Sequence, residues 1–335
     1  MKTRRDLGLD NLKAIAISFV MFWHLQPIRF INSDNQNFTT VLVSLVNVFN
    51  WQVTLTAVPI FYIISLYLFF RKSTSINYLK KRLINIGTLF IFWTAFHILF
   101  TFIATSKLSE FSWRVIIGIH PTLPLVGDSV FYFLFDLFFL VILAYLYQRL
   151  YPRTRELLNY FIVGFSLIRF ELSFFVESKW YYISYYSLEN FIIYIPIAFA
   201  IFKDKDKIFK FKFFYLATYI IFSLHDILLG VHHYDLGIYN RISLVFGALT
   251  LFCFIYPISI NNWYTQKLAK YSLGLFALHK YWQYILIWLS QQYLSNVAKF
   301  NHFDIKFLII SILAICLTVM TIALLKLTIL KYFVC

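Results

Sequence analysis

The chain is a succession of apolar blocks, each of roughly 18–22 residues, separated by short charged pieces. A block of that length, wound as a helix, matches the ~30 Å hydrocarbon core of a bilayer. Ten such blocks can be read, at about 9–27, 53–70, 83–104, 126–147, 157–174, 188–202, 208–229, 238–260, 271–291 and 307–330. The fifth carries Arg169 and Glu171 near its end, and the sixth is the shortest. Barrel strands would instead show ~10-residue alternation. A soluble domain would need far more charge than 13% against 61% hydrophobic residues. The expectation is an all-α polytopic membrane protein of about ten transmembrane helices. Residues 1–335 then form a single integral-membrane domain with no separate soluble domain, the longest outer segment being 28–52.

Charge gives the orientation, because Lys and Arg stay on the cytoplasmic side. With the N-terminus inside, the inner segments hold 20 Lys and Arg, among them Lys81 and Arg82, and the outer segments hold seven. Ten helices with both termini cytoplasmic are thus self-consistent, and the net charge of +15 is mainly a topology signal rather than a nucleic-acid surface. No cleavable signal is visible after "MKTRRD", so the first helix is expected to stay in the mature protein. The three cysteines, 253, 316 and 335, share no metal-like or paired spacing. No Gly-rich phosphate loop and no inverted repeat is apparent. Any chemistry must therefore sit among the helices.

Ionisable groups inside such helices are costly and usually functional. In "DNLKAIAISFVMFWHLQP", residues 10–27, Lys13 and His24 bracket an apolar run. They are eleven residues apart, close to three full turns, so both lie on one stripe about 16 Å apart along the axis. Asp10 stands one turn before Lys13. The stripe offers a cation near the cytoplasmic face and a possible base near the outer one. Equally, Lys13 can snorkel to the headgroups while His24 sits at the interface beside Trp23.

These residues also carry a resemblance. "LDNLKAIAISFVMFWH" resembles the opening helix of the membrane-bound acyltransferase-3 family, which has a basic residue, ten intervening residues and a histidine. "AVPIFYIISLYLFFRK" is similar to the family's second helix, with Leu66 where Gly is usual. "YLKKRLINIGTLFIFW" resembles the basic turn and third helix, with Asn85 and Gly87 where Arg and Pro are common. "FYFLFDLFFLVIL" has Phe135 where Arg is frequent, and "YSLGLFALHKYW" resembles a late histidine-bearing helix. These islands run in the expected order from residue 9 to 282.

The resemblance implies a multi-pass protein of the bacterial cell (inner) membrane. It would transfer an acyl group, often acetyl, from cytoplasmic acyl-CoA to a hydroxyl of a cell-surface or lipid-linked glycan. Acyl-CoA is then a donor substrate, with no permanently bound cofactor and no metal. Coenzyme A phosphates need cations, for which Lys13, Lys81 and Arg82 are candidates, although Lys lacks the bidentate fork of Arg. His24 would remove the proton from the attacking hydroxyl or be acylated first. The other class is a polysaccharide or lipid transporter or export component without acyl transfer, which needs neither acyl-CoA nor His24.

Other intramembrane groups carry two readings each. Asp136 either orients His24 or pairs with Lys13 or Lys280. His279 lines the pocket or is a satisfied core histidine. His225 and Asp226, near the outer end of the seventh block, line the acceptor site or are simply solvated. "VHHYD" at 231–235 is a weak metal candidate lacking a third ligand. Arg169 with Glu171 reads as a structural pair. Ser65 either lines a pore or bonds back to its own helix. The aromatics "WYYISYY" at 180–186, with Tyr234, Tyr239 and Trp282, suit sugar stacking but also the membrane interface.

Overall fold

The computed structural model describes residues 6–28, 36–72, 75–107, 126, 130–175, 184–231, 237–258, 260–293 and 305–334, and their regular elements are all helical. In chain order these are α1 Leu7–Leu25, α2 Gln36–Val48, α3 Ala57–Lys72, α4 Ile76–Thr105, α5 Tyr132–Arg149, α6 Pro152–Phe175 and α7 Tyr194–Lys203. They continue with α8 Lys205–Lys210, α9 Lys212–Val231, α10 Ile242–Ile255, α11 Trp263–Tyr293, α12 Ile305–Leu325 and α13 Lys331–Val334. Each of the ten apolar blocks holds one helix: α1, α3 to α7 and α9 to α12. Six stretches are long and apolar enough to cross a bilayer: Val41–Lys72, Ile76–Thr105, Tyr132–Arg149, Pro152–Phe174, Lys212–Val231 and Ile305–Leu325. This is a multi-pass membrane protein. Helices α1 and α11 have the length, but Asp10, Asn11, Lys13 and His24 in one, and Gln266, Lys267, Lys270 and His279 in the other, dilute their apolarity.

Two features differ from the sequence expectation. Residues 28–52 are not merely a connection, because α2 begins at Gln36 and runs through a π turn, Phe49–Val53, and a 3-10 turn, Thr54–Thr56, into α3. Thr54 Oγ1 donates to the Asn50 carbonyl at 2.7 Å, where the regular hydrogen-bond ladder is interrupted. The sixth block yields only the ten-residue α7, about 15 Å long, half the thickness of a hydrocarbon core. A 3-10 turn at Leu188–Asn190 precedes it and extends the helical path.

The chain divides into two compact units. One comprises Met1–Leu12, Leu55–Phe90 and Tyr132–Ile260. Its centre is α3, which packs against α5, α7 and α10 and is buried on every side, from Val58 and Ile60 to Phe69 and Phe70. A helix apolar all round belongs inside a bundle. Gly247 of α10 lets its helix close on Thr56 and Tyr219, since a Cβ there would stand 2.8 Å from Thr56 Cγ2. Helices α6 and α9 instead expose apolar faces, including Phe161, Phe165, Ile168, Ile221, Leu224 and Leu228, as lipid contact requires.

The other unit comprises Lys13–Thr54, Ile91–Phe131 and Asn261–Cys335. In it α11 pairs with α12, and α13 packs on both. Trp93 Nε1 donates to the Phe333 carbonyl at 3.1 Å, and the Phe92 and Phe333 rings stack at 3.8 Å. The edge-on pairs Phe22–Phe49 and Trp23–Trp51 hold the residues after α2 against the end of α1.

Candidate active site

Helix α1 is defined at both ends. Asp6 caps its start by accepting from the Leu9 amide at 3.3 Å. The same carboxylate accepts from Arg71 at 3.0 Å and from the Tyr256 hydroxyl at 3.1 Å. At the far end Gln26 adopts a left-handed backbone, φ 45°, which stops the helix one residue past Leu25. His24 therefore stands on the last turn, where backbone carbonyls have no partner within the helix.

Those carbonyls are held by side chains. Gln283 Nε2 of α11 donates to His24 O and Leu25 O, each at 3.3 Å. Ser311 Oγ of α12 lies 3.2 Å from Leu25 O and 2.7 Å from Phe307 O, so its one proton is shared between them. On α11, Leu275, His279 and Gln283 are spaced four apart and share a face. His279 Nδ1 lies 2.8 Å from Leu275 O. A carbonyl only accepts, so Nδ1 carries the proton and Nε2 the lone pair. That Nε2 is buried and has no hydrogen-bond partner among the described residues. The His24 and His279 rings are 5.3 Å apart between centroids and tilted by 41°. His24 is half-buried and His279 fully buried. The two histidines marked by the sequence, 255 residues apart, thus meet in one unit.

The same unit holds a histidine that sequence reasoning passed over. His97 of α4 is buried, with Nδ1 2.9 Å from the Tyr281 hydroxyl. Its signal was an isolated imidazole in an apolar run, the same cost argument that marks His24.

The remaining candidates are placed as follows. Lys13, half-buried, occupies the same α1 stripe as His24, three turns earlier. Lys81 is exposed on the first turns of α4. Arg82 beside it is half-buried, and its Nε has no hydrogen-bond partner among the described residues. Asp136 of α5 is 1% exposed and accepts a long 3.5 Å hydrogen bond from the Tyr62 hydroxyl. Phe133, Phe191 and Tyr194 surround the Tyr62 ring. Asp226 of α9 is fully inside its unit, 3.5 Å from Arg241 Nη1 and bonded by the Ser243 hydroxyl. Its neighbour His225 faces elsewhere, with Nε2 3.4 Å from Glu171 Oε1.

The expected Arg169–Glu171 pair is corrected. Residues two apart on a helix point ~200° away from each other and cannot meet. Arg169 instead binds Glu189 and, at 2.8 Å, Asn190 Oδ1, while Glu171 faces His225. Trp282 Nε1 donates to Thr321 Oγ1 at 2.9 Å, which ties α11 to α12. No group of three or more His, Cys, Asp or Glu with metal-binding geometry occurs among the described residues. His232, His233, Tyr234 and Asp235, and residues 180–183 of the aromatic run, lie outside the described residues.

Residues 6–327 match the model of a family described as an acyltransferase domain. No curated protein and no solved structure matches the chain.

Proposed function

Because the chain belongs to the acyltransferase-3 family, we propose that it carries an acyl group, acetyl in the simplest case, from cytoplasmic acyl-CoA across the membrane to a hydroxyl of a cell-surface or lipid-linked glycan. The family makes the protein an acyltransferase. Donor, acceptor and direction are the proposal, as is the arrangement of the whole of residues 1–335 as one membrane domain with ten spans and cytoplasmic termini.

The observation that carries the reading is His24 on an anchored helix end with a second imidazole beside it. Neutral imidazole suits both roles open to His24, base for the attacking hydroxyl and nucleophile that takes the acyl group first. Lys13, at the cytoplasmic end of the same stripe, supplies a cation for the phosphates of the donor. Lys81 and Arg82 are further cation candidates, and the Nε of Arg82, without a hydrogen-bond partner among the described residues, suits an anion. Asp136 remains a candidate by its own setting, a buried carboxyl that accepts a long hydrogen bond from Tyr62. His225 and Asp226 remain acceptor-side candidates, now with Glu171 and Arg241 as their immediate partners.

Mass spectrometry of surface glycan from cells with and without the gene tests the class of activity. The expected result is one acyl mass per repeat that depends on the gene. Identical glycan masses would remove the acyl-transfer reading and return the transporter alternative.

A further inference from the structure

Two buried lone pairs stand one helical turn apart beside His24. The Leu275 carbonyl fixes the proton on His279 Nδ1, so Nε2 can only accept. The His24 and Leu25 carbonyls fix the amide of Gln283 in the same way. Its nitrogen must face them, and Oε1 therefore points away. Neither His279 Nε2 nor Gln283 Oε1 has a hydrogen-bond partner among the described residues, and the two residues are 0% and 3% exposed. A buried acceptor left unmade costs about 1–3 kcal/mol, and such groups in native proteins call for an explanation. What both lack is a donor.

We propose that His279 and Gln283 form the subsite for a hydroxyl-bearing acceptor, and that His279 Nε2 is the general base of the transfer. Two hydroxyls of one polyhydroxylated acceptor satisfy the two lone pairs. The hydroxyl on His279 gives its proton to Nε2 as its oxygen bonds to the acyl carbon. The bond from that carbon to its carrier breaks with its electron pair, and the leaving atom takes the proton from His279. A base needs a partner that fixes its tautomer, as the Leu275 carbonyl does for His279. Among the described residues no hydrogen bond fixes the tautomer of the His24 ring, and its part in the proposal is that of acyl carrier. Its nitrogen then attacks the thioester, the C–S bond breaks, and the thiol leaves with the imidazole proton. The deacylating hydroxyl is the one held by His279.

This rests on the acyl-transfer reading, and the test separates the two. Membranes containing the full-length protein and its native glycan are given radiolabelled acetyl-CoA, and label in glycan is followed against pH and donor concentration. The variant His279→Asn keeps an amide donor for the Leu275 carbonyl and removes the base; His279→Gln places an amide near Nε2. Either should lower the maximal rate by roughly 10²–10⁴-fold. The acid side of the pH profile should change, because only the His24 titration then remains in it, while half-saturation for acetyl-CoA stays the same. The titratable groups described around His279 are His24 on α1, Lys280 and Tyr281 on its own helix, and His97 on α4 through Tyr281. All four remain in both variants. Gln283→Met should raise the acceptor requirement at least tenfold; it also releases the His24 and Leu25 carbonyls, so its maximal rate should fall as well. Wild-type membranes that label no glycan overturn the acyl-transfer reading and the subsite with it. Wild-type labelling together with His279→Asn or His279→Gln at the wild-type rate and pH profile overturns the base alone. Variants that lose heat stability but keep their kinetics show a structural water at the two lone pairs, which also overturns the proposal.

Discussion

Gln283 of α11 donates its amide to the last two carbonyls of the helix that carries His24, at 3.3 Å each. The end of α1 is therefore held by a side chain, where an exposed helix would leave those carbonyls to water. With Ser311 on the same carbonyl of Leu25, the last turn is tied to both α11 and α12. A histidine on such an end is held in place, as the proposed attack on a thioester requires.

The other end of the stripe gives the first prediction. If Lys13 meets the phosphates of the donor, Lys13→Arg should retain activity, because the charge stays and a better phosphate fork replaces it. Lys13→Met keeps a similar length and should weaken donor binding by about 1–3 kcal/mol, the scale of a charge-assisted hydrogen bond. Membrane vesicles should show a raised acyl-CoA requirement and an unchanged acceptor requirement. Wild-type donor dependence in Lys13→Met would reduce Lys13 to a snorkelling residue.

The buried pair of Arg241 and Asp226 makes a prediction about stability. Arg241→Met leaves a carboxylate inside the unit with its ion partner gone, a change worth about 3–5 kcal/mol. Combining it with Asp226→Leu removes the stranded charge and should recover most of the loss. Thermal unfolding of the detergent-solubilised protein measures both. A double variant no more stable than the single one would contradict this assignment.

Packing of α13 is tested at Gly274. A Cβ there would stand 2.9 Å from both the Val334 carbonyl and Ile322 Cδ1. The side chain can shift, but the carbonyl belongs to a helix held by Trp93. Gly274→Val should therefore destabilise by about 1–3 kcal/mol and loosen α13, so that trypsin cuts faster at Lys326 and Lys331. Unchanged digestion would show that α13 is not docked against this glycine.

The ten helix positions were legible because a run of apolar residues long enough for a bilayer is a strong local signal. Helix α2 was not, since Gln36, Asn37, Thr39 and Thr40 make its start read as a connection. Partners were harder still. Arg169 and Glu171 are neighbours in sequence, yet helical geometry sends them to Glu189 and His225. Polarity in an apolar setting singled out His24 and His279 separately, but nothing local says that residues 255 apart share a site. The two lone pairs of His279 and Gln283 depend on which carbonyls lie opposite, and only the fold supplies those.

The most direct measurement is acylation of the surface glycan in cells producing the His24→Ala protein. The variant should insert and accumulate normally, because Ala is less costly in a bilayer than imidazole. Glycan acylation should fall at least a hundredfold, the minimum for loss of a group that takes the proton or the acyl. Near-normal acylation by a well-expressed His24→Ala protein would contradict the account at its centre.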